Sequence, residues 1–327
     1  MADTMRAQVE DLSPVTVGRR GAPSRPRTAT SAMRRALPYL AILPTLGTFL
    51  ILLGYPVLLV ILLSFQKYNL AELFNHRTIW IGLDNYREIL GNPEFISVVI
   101  RTFLFTIANV ALTIGLGTLV ALLLDRLGRW MRLAVSMAMV LAWSVPAVTG
   151  SVIFQWLFDS KFGVVNWALN TIGLFGDFTN HSWFDSGLST FAIITMLMVW
   201  QAAPFVAFSL FAGIGSISKE QYEAARVDGA GEWAVFRWIT LPSLAPLFMI
   251  LTFLSSIWDF KVFTQIWTMR QGGPNNETVT LAIYAYQVGI AGNRFGIAAA
   301  VSCVMVALLL VVLVPYIRSM VRTQEGA

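Results

Sequence analysis

The 327-residue sequence predicts an all-α, polytopic membrane protein. Composition is the first reason: 56% of the residues are hydrophobic and only 13% charged, about half the charged share usual in a soluble domain. Run length is the second, because several apolar stretches exceed the roughly 20 residues a helix needs to cross a bilayer. They lack the residue-by-residue alternation of a membrane β-barrel. The third is the placement of the cations. The net charge is +5, yet the basic residues sit in short loops and tails beside the apolar runs. That is a topology signal and excludes a nucleic-acid-binding stripe.

Residues 1–35 are rich in Arg, Pro, Ser and Thr and have no apolar core. They read as a disordered basic tail, not a signal peptide. Six spans follow, at about 37–64, 96–124, 131–156, 190–214, 244–268 and 297–317. They make a transmembrane domain over 36–318, with a short tail over 319–327. Pro44 and Pro56 in the first span, Pro146 in the third and Pro204 in the fourth are tolerated because neighbouring helices re-satisfy the freed carbonyls.

Orientation follows from Lys and Arg. Seven lie in the N-terminal tail and three in the 125–132 loop. Lys219, Arg226 and Arg237 lie in the loop before span five, and Arg318 and Arg322 near the end, together fifteen of 23. Both termini and the 216–243 loop are therefore expected in the cytoplasm of a multi-pass cell-membrane protein. Cys303 lies mid-span as a small packing residue. On the outside, FGVVNWALNTIGLF is amphipathic through Val164, Val165, Trp167 and Leu169, and GGPNNET is a turn cluster. Each suits a connector or a docking face.

The stretch YEAARVDGAGEWAVFRWITLPSLAPL, from Tyr222 to Leu247, interrupts the apolar runs. Ser218 and Gln221 have capping-box spacing, and Glu220 and Glu223 fall where a helix dipole favours anions. Gly229 or Gly231 is expected to end this helix. A second short helix then sets Trp233, Phe236 and Ile239 on one side, with Pro242 as its stop. Two short helices meeting at a glycine corner suit either a lipid surface or a partner groove.

In span five, Ser255, Trp258, Asp259 and Val262 recur at i, i+3, i+4 and i+7, one helical face. A carboxylate at membrane depth is costly and marks a functional position, or else a pairing with another helix. An indole stacks on the apolar side of a pyranose while a carboxylate accepts hydroxyl hydrogen bonds, so the face suits a sugar. Lys261 is two residues from Asp259 and reads as pointing elsewhere. In span four Pro204 frees the carbonyl of Trp200, and Gln201, Phe205 and Phe208 follow at i, i+4 and i+7. There is no GxxxxGK[ST] and no HExxH, and His76 and His181 lie in outside loops.

Glu223-Ala224-Ala225, then Gly229, Ile239 and Leu241-Pro242 at fixed spacing, resembles the signature loop of permease subunits of binding-protein-dependent carbohydrate ABC importers, of the maltose type. RTFLFTIANVALTIGLGTLVALLLDR, SVPAVTGSVIFQWLF and FKVFTQIWTMRQGGPNNET extend the resemblance over about 37–317, and it is strongest to actinobacterial permeases that import trehalose. The resemblance implies the type I ABC importer permease fold with a cytoplasmic coupling loop. It implies a non-enzymatic subunit without cofactor, with ATP and Mg²⁺ held by two copies of a cytoplasmic P-loop ATPase. A second, different permease and an extracytoplasmic sugar-binding (lipo)protein complete the expected partners, with a disaccharide, trehalose first, as cargo and no nucleic acid.

In that family the loop inserts into a groove on the ATPase. Glu223 would pair with a basic group there, Ala224 and Ala225 would permit close approach, and Gly229 would make the corner. Trp233 and Phe236 would anchor it, beside the signature positions Ile239, Leu241 and Pro242. The family's sugar-contacting positions fall on Trp200, Gln201, Ala202 and Phe205, and on Ser255, Trp258, Asp259 and Val262. The chain departs from the family pattern at Asp259 and Val262, where amides are seen, and at Ala202, where glycine is. The alternative is an ion-coupled secondary transporter using Asp259 as a carboxylate relay. It leaves the signature loop without a job and lacks the internal repeats usual in such carriers.

Overall fold

The computed structural model describes residues 41–173 and 176–325. The expected basic tail and the first residues of span one lie outside the described residues. Helix α1, Ala41–Ser64, is apolar and long enough to span, with a widened π turn at Leu50–Gly54. By its contacts the chain divides into two units after Pro56, and the candidate site lies wholly in the unit that begins at Val57.

A small outer layer follows. Strands β1 (Gln66–Lys67) and β2 (Ile79–Trp80) pair antiparallel around α2 (Leu70–Phe74), a minor strand element in an otherwise helical chain. Helix α3 (Asp84–Leu90) pins this layer, since the buried Asn85 amide donates to the carbonyls of Ser64 and Gln66, both at 2.9 Å.

Helix α4, Pro93–Arg126, starts with Asn92 accepting the Glu94 N–H at 2.9 Å and with proline at its first position, where no N–H is needed. At its far end Arg132 donates to the carbonyls of Leu124 (2.8 Å) and Leu127 (2.9 Å), which the helix leaves without partners. The third expected span is not one straight helix. Helices α5 (Arg129–Ser144) and α6 (Ala147–Leu157) meet at 104°. Pro146 forces Val145 out of helical conformation, to ψ 122°.

The outside loop then folds into α7, Val164–Ile172. In the turn before it Asp159 accepts the amides of Phe162 and Lys161, which hold its carboxyl below the usual carboxylate range. Helix α8, Gly187–Ile214, is the centre of the packing. Asn109 of α4 lies against Thr195, and Gly117 against Ala203 and Val206, so residue numbers rise together and the two helices run parallel. A Cβ on Gly117 would sit 2.5 Å from Val206 Cγ1. Small residues of this kind let membrane helices approach closely. Gly117→Leu is therefore expected to destabilise the fold by about 3 kcal/mol, at the upper end for overpacking. The check is the thermal unfolding midpoint of the purified protein.

After α9 (Lys219–Val227) and α10 (residues 232–243), span five is also broken. Helix α11, Ala245–Phe260, stops before the expected end, and α12, Thr264–Arg270, resumes after a three-residue turn. The Gln155 amide of α6 donates to the carbonyls of Thr268 (3.0 Å) and Met269 (2.6 Å), fixing α12 to the bent span. Helix α13 (Leu281–Ala291, with a π turn from Gln287) and α14 (Phe295–Glu325) complete the chain. The apolar core joins α4, α8, α12, α13 and α14 through Phe105, Ile194, Ile266, Ile283 and Val301.

Candidate functional sites: a membrane cavity and an exposed loop

Two sites stand at different depths. The first is a cavity of about 440 Å³ where the breaks of spans three and five face α8. Gln201, Ala202 and Phe205 line it from α8, and Trp258, Asp259 and Val262 from span five. Six of the eight expected pathway residues thus converge. Val262 reaches the cavity for a reason other than helical spacing. Helix α11 has ended at Phe260, and the turn through Lys261 swings Val262 inward.

Ser255 and Trp200 do not join them. Ser255 is buried and does not line the cavity. Trp200 lines a separate crevice of about 280 Å³ with Leu116, Ala142 and Pro204, its ring 5.8 Å from that of Phe154. Lys261, set aside on spacing, does line the cavity, because the helix whose periodicity pointed it away stops one residue earlier.

Trp143, Val145 and Gln265 are additional lining residues. The signal for Trp143 was present in the sequence Trp-Ser-Val-Pro, an aromatic just ahead of a proline break. Phe205 stands between two indoles, with ring centroids 6.0 Å from Trp143 and 5.6 Å from Trp258. Gln201 Nε2 donates to the Val145 carbonyl at 3.0 Å, bracing the break against α8. Asp259 is only 7% exposed, and among the described residues it has no ion pair and no side-chain hydrogen bond. Aromatic faces beside a free acceptor suit a polyhydroxylated ligand.

The second site is the loop between spans four and five. Ser218 is the N-cap of α9 in extended conformation, but there is no capping box. Its hydroxyl is 3.3 Å from Glu220 Oε2 and makes no cap hydrogen bond. Helix α9 ends at Gly229 in the left-handed region, φ +79°. The N–H of Gly229 donates to the Arg226 carbonyl (3.1 Å) and that of Ala230 to the Ala225 carbonyl (2.9 Å), a paired C-terminal closure. Gly231 has φ −70° and instead caps the start of α10.

Pro242 does not stop α10. A π turn at Phe236–Thr240 widens the helix just before it, with the Leu241 N–H reaching the Phe236 carbonyl. This accommodates the N–H that proline lacks. The chain breaks only at Leu244. Tyr222 and Thr240 hydroxyls, 3.1 Å apart, hold α9 against α10. Glu223, Ala224, Gly229, Trp233 and Pro242 face outward, Trp233 being 74% exposed, while Ala225, Phe236, Ile239 and Leu241 are half-buried. The Trp233 and Phe236 rings lie 5.6 Å apart. Beneath the loop is a cavity of about 720 Å³ lined by Arg126, Lys219, Tyr222, Arg226 and Glu232 among others.

Apolar helices of spanning length around a midspan cavity, with a helical corner at one end, define a polytopic helical membrane protein. The chain belongs to the family of binding-protein-dependent transport system inner membrane components, whose profile matches residues 113–321. It is 43% identical over 302 residues to the diacetylchitobiose uptake system permease protein DasB of Streptomyces coelicolor, covering 92% of each chain. It is 30% identical over 284 residues to the trehalose/maltose transport system permease protein MalF of Thermococcus litoralis, covering 86% of this chain and 92% of that one. Its fold is similar to that in the crystal structure of a bacterial ABC transporter involved in alginate import. The TM-score is 0.75 at 24% identity, over 89% of this chain and 97% of the other. The chain is a membrane permease subunit of the ABC-importer type, and family membership disfavours the ion-coupled alternative.

Proposed function

We propose that this subunit forms, with a second and different permease, the pathway of an ATP-driven disaccharide importer. The reading includes two cytoplasmic ATPase copies, which hold ATP and Mg²⁺, an extracytoplasmic sugar-binding (lipo)protein, and cytoplasmic placement of both termini and of the 216–243 loop. The observation that carries it is the outward presentation of Glu223, Ala224 and Trp233 on a closed two-helix corner. Small residues beside a free carboxylate suit insertion into a groove on a partner. ATP and the loaded binding protein must both favour the outward-open state, because a ligand shifts an equilibrium only by its differential affinity.

The midspan cavity supports the cargo class through Trp143, Phe205, Trp258 and Asp259. Trehalose remains the first candidate, and the likeness to a diacetylchitobiose permease adds that disaccharide. Purification of the tagged chain from its host, with mass spectrometry of co-purifying chains, tests the assembly. A P-loop ATPase and a second permease are expected. Competition of labelled trehalose uptake by maltose and diacetylchitobiose then ranks the cargo. A chain that purifies alone and moves sugar without ATP would overturn the reading.

A further inference from the structure

Beside its apolar packing through Ile217 and Leu244, the loop is tied to the rest of the subunit by a carboxylate. Glu232 is the first residue of α10, and its Oε2 lies 2.5 Å from an Arg126 guanidinium nitrogen. Arg126 is the last residue of α4. Arg226, in the last turn of α9, approaches Glu232 Oε1 at 3.8 Å. Each charge stands at the helix end whose dipole favours it, the acid at an N-terminus and both cations at C-termini. Arg132 ties this end of α4 to α8. Besides capping the α4 carbonyls, its guanidinium lies 5.3 Å over the Phe211 ring of α8.

From Arg126, α4 runs unbroken for 34 residues, about 50 Å at 1.5 Å per residue, and packs against α8 at Gly117. Near its other end Arg101 donates to the carbonyls of Asn276 (2.8 Å) and Val279 (3.0 Å), and Thr102 Oγ1 accepts the Leu281 N–H at 2.9 Å. These contacts hold the loop over residues 272–280, whose Glu277 also accepts the first amide of α8, from Gly187, at 2.6 Å. The two loops at opposite ends are thus gripped by one helix.

We infer that α4 is a strut carrying displacement between the 216–243 loop and the 272–280 loop, with the Arg126–Glu232 clasp at one end and Arg101 at the other. Both residues are positioning residues for coupling. The inference rests on the importer reading, since it needs an ATPase at the first loop. An exposed ion pair contributes little to stability, so loss of the clasp should spare folding and alter only transmission.

The test uses the complete complex in proteoliposomes, reading sugar moved per ATP hydrolysed. Arg126→Glu and Glu232→Arg are each expected to lower that ratio at least fivefold with the complex still assembled. The double exchange Arg126→Glu/Glu232→Arg is expected to restore most of it. Arg101→Gln is expected to reduce stimulation of ATP hydrolysis by the loaded binding protein at least threefold. If a reversed arginine prevents assembly, the neutral Glu232→Gln supplies the same readout, with a fall of twofold or more. Unchanged ratios in the single variants, or no rescue by the exchange, would overturn the inference. A wild-type complex that hydrolyses ATP without moving sugar would overturn the importer reading, and this inference with it.

Discussion

Gly229→Pro is expected to lower ATP-dependent uptake about a hundredfold while the subunit still inserts and assembles. Gly229 sits at φ +79°, and proline is confined near −65°. Proline also lacks the N–H that Gly229 donates to the Arg226 carbonyl, so the closure of α9 is lost along with the corner. The hundredfold figure corresponds to about 3 kcal/mol, the upper end for backbone held in a sparsely populated region. Gly229→Ala separates shape from crowding. Nothing lies within 4 Å of a Cβ there, so alanine meets only the left-handed penalty, about 1 kcal/mol or roughly a fivefold loss. Uptake measured in vesicles containing equal amounts of assembled complex provides the comparison. A proline variant with wild-type uptake would remove the coupling role assigned to the loop.

Asp259→Asn is expected to raise the sugar concentration for half-maximal uptake about thirtyfold while thermal stability stays level or rises. The first half follows from losing a charged hydrogen-bond acceptor for substrate hydroxyls, about 2 kcal/mol. The second follows from burial: a carboxylate 7% exposed with no ion pair among the described residues destabilises the folded subunit, and the amide removes that cost. A structural carboxylate would behave in the opposite way, since its loss would lower the unfolding midpoint. Saturation curves and unfolding midpoints on the same preparations decide between the two.

The helical membrane class and the approximate positions of the apolar runs were legible because lipid imposes one rule on every residue of a span. The loop was legible as a corner, since Gly229 needs a conformation that side chains resist. What the sequence hid were the interruptions. Periodicity assumes an unbroken helix, so it turned Lys261 away from the face of Trp258 and Asp259, and the end of α11 at Phe260 undid that reading, while Ser255, placed on the same face, is buried without lining the cavity. Pro242 read as a stop because a one-dimensional pattern cannot show the π turn that precedes and absorbs it. Arg126 and Glu232 are 106 residues apart. Only the fold brings them into contact, and no local spacing announces the pair.

The parallel course of α4 and α8 settles how the elbow between α5 and α6 should be counted. The chain leaves α4 at Arg126 and enters α8 at Gly187, at the other end of the pair. Had α5 and α6 merely dipped into the bilayer and returned to the side they left, α8 would run antiparallel to α4. Parity makes the bent pair one full passage, with its 104° elbow inside the hydrocarbon. The Val145 carbonyl then lies at a depth where no lipid can bond to it. Gln201, besides lining the cavity, supplies the partner that lets the backbone turn there.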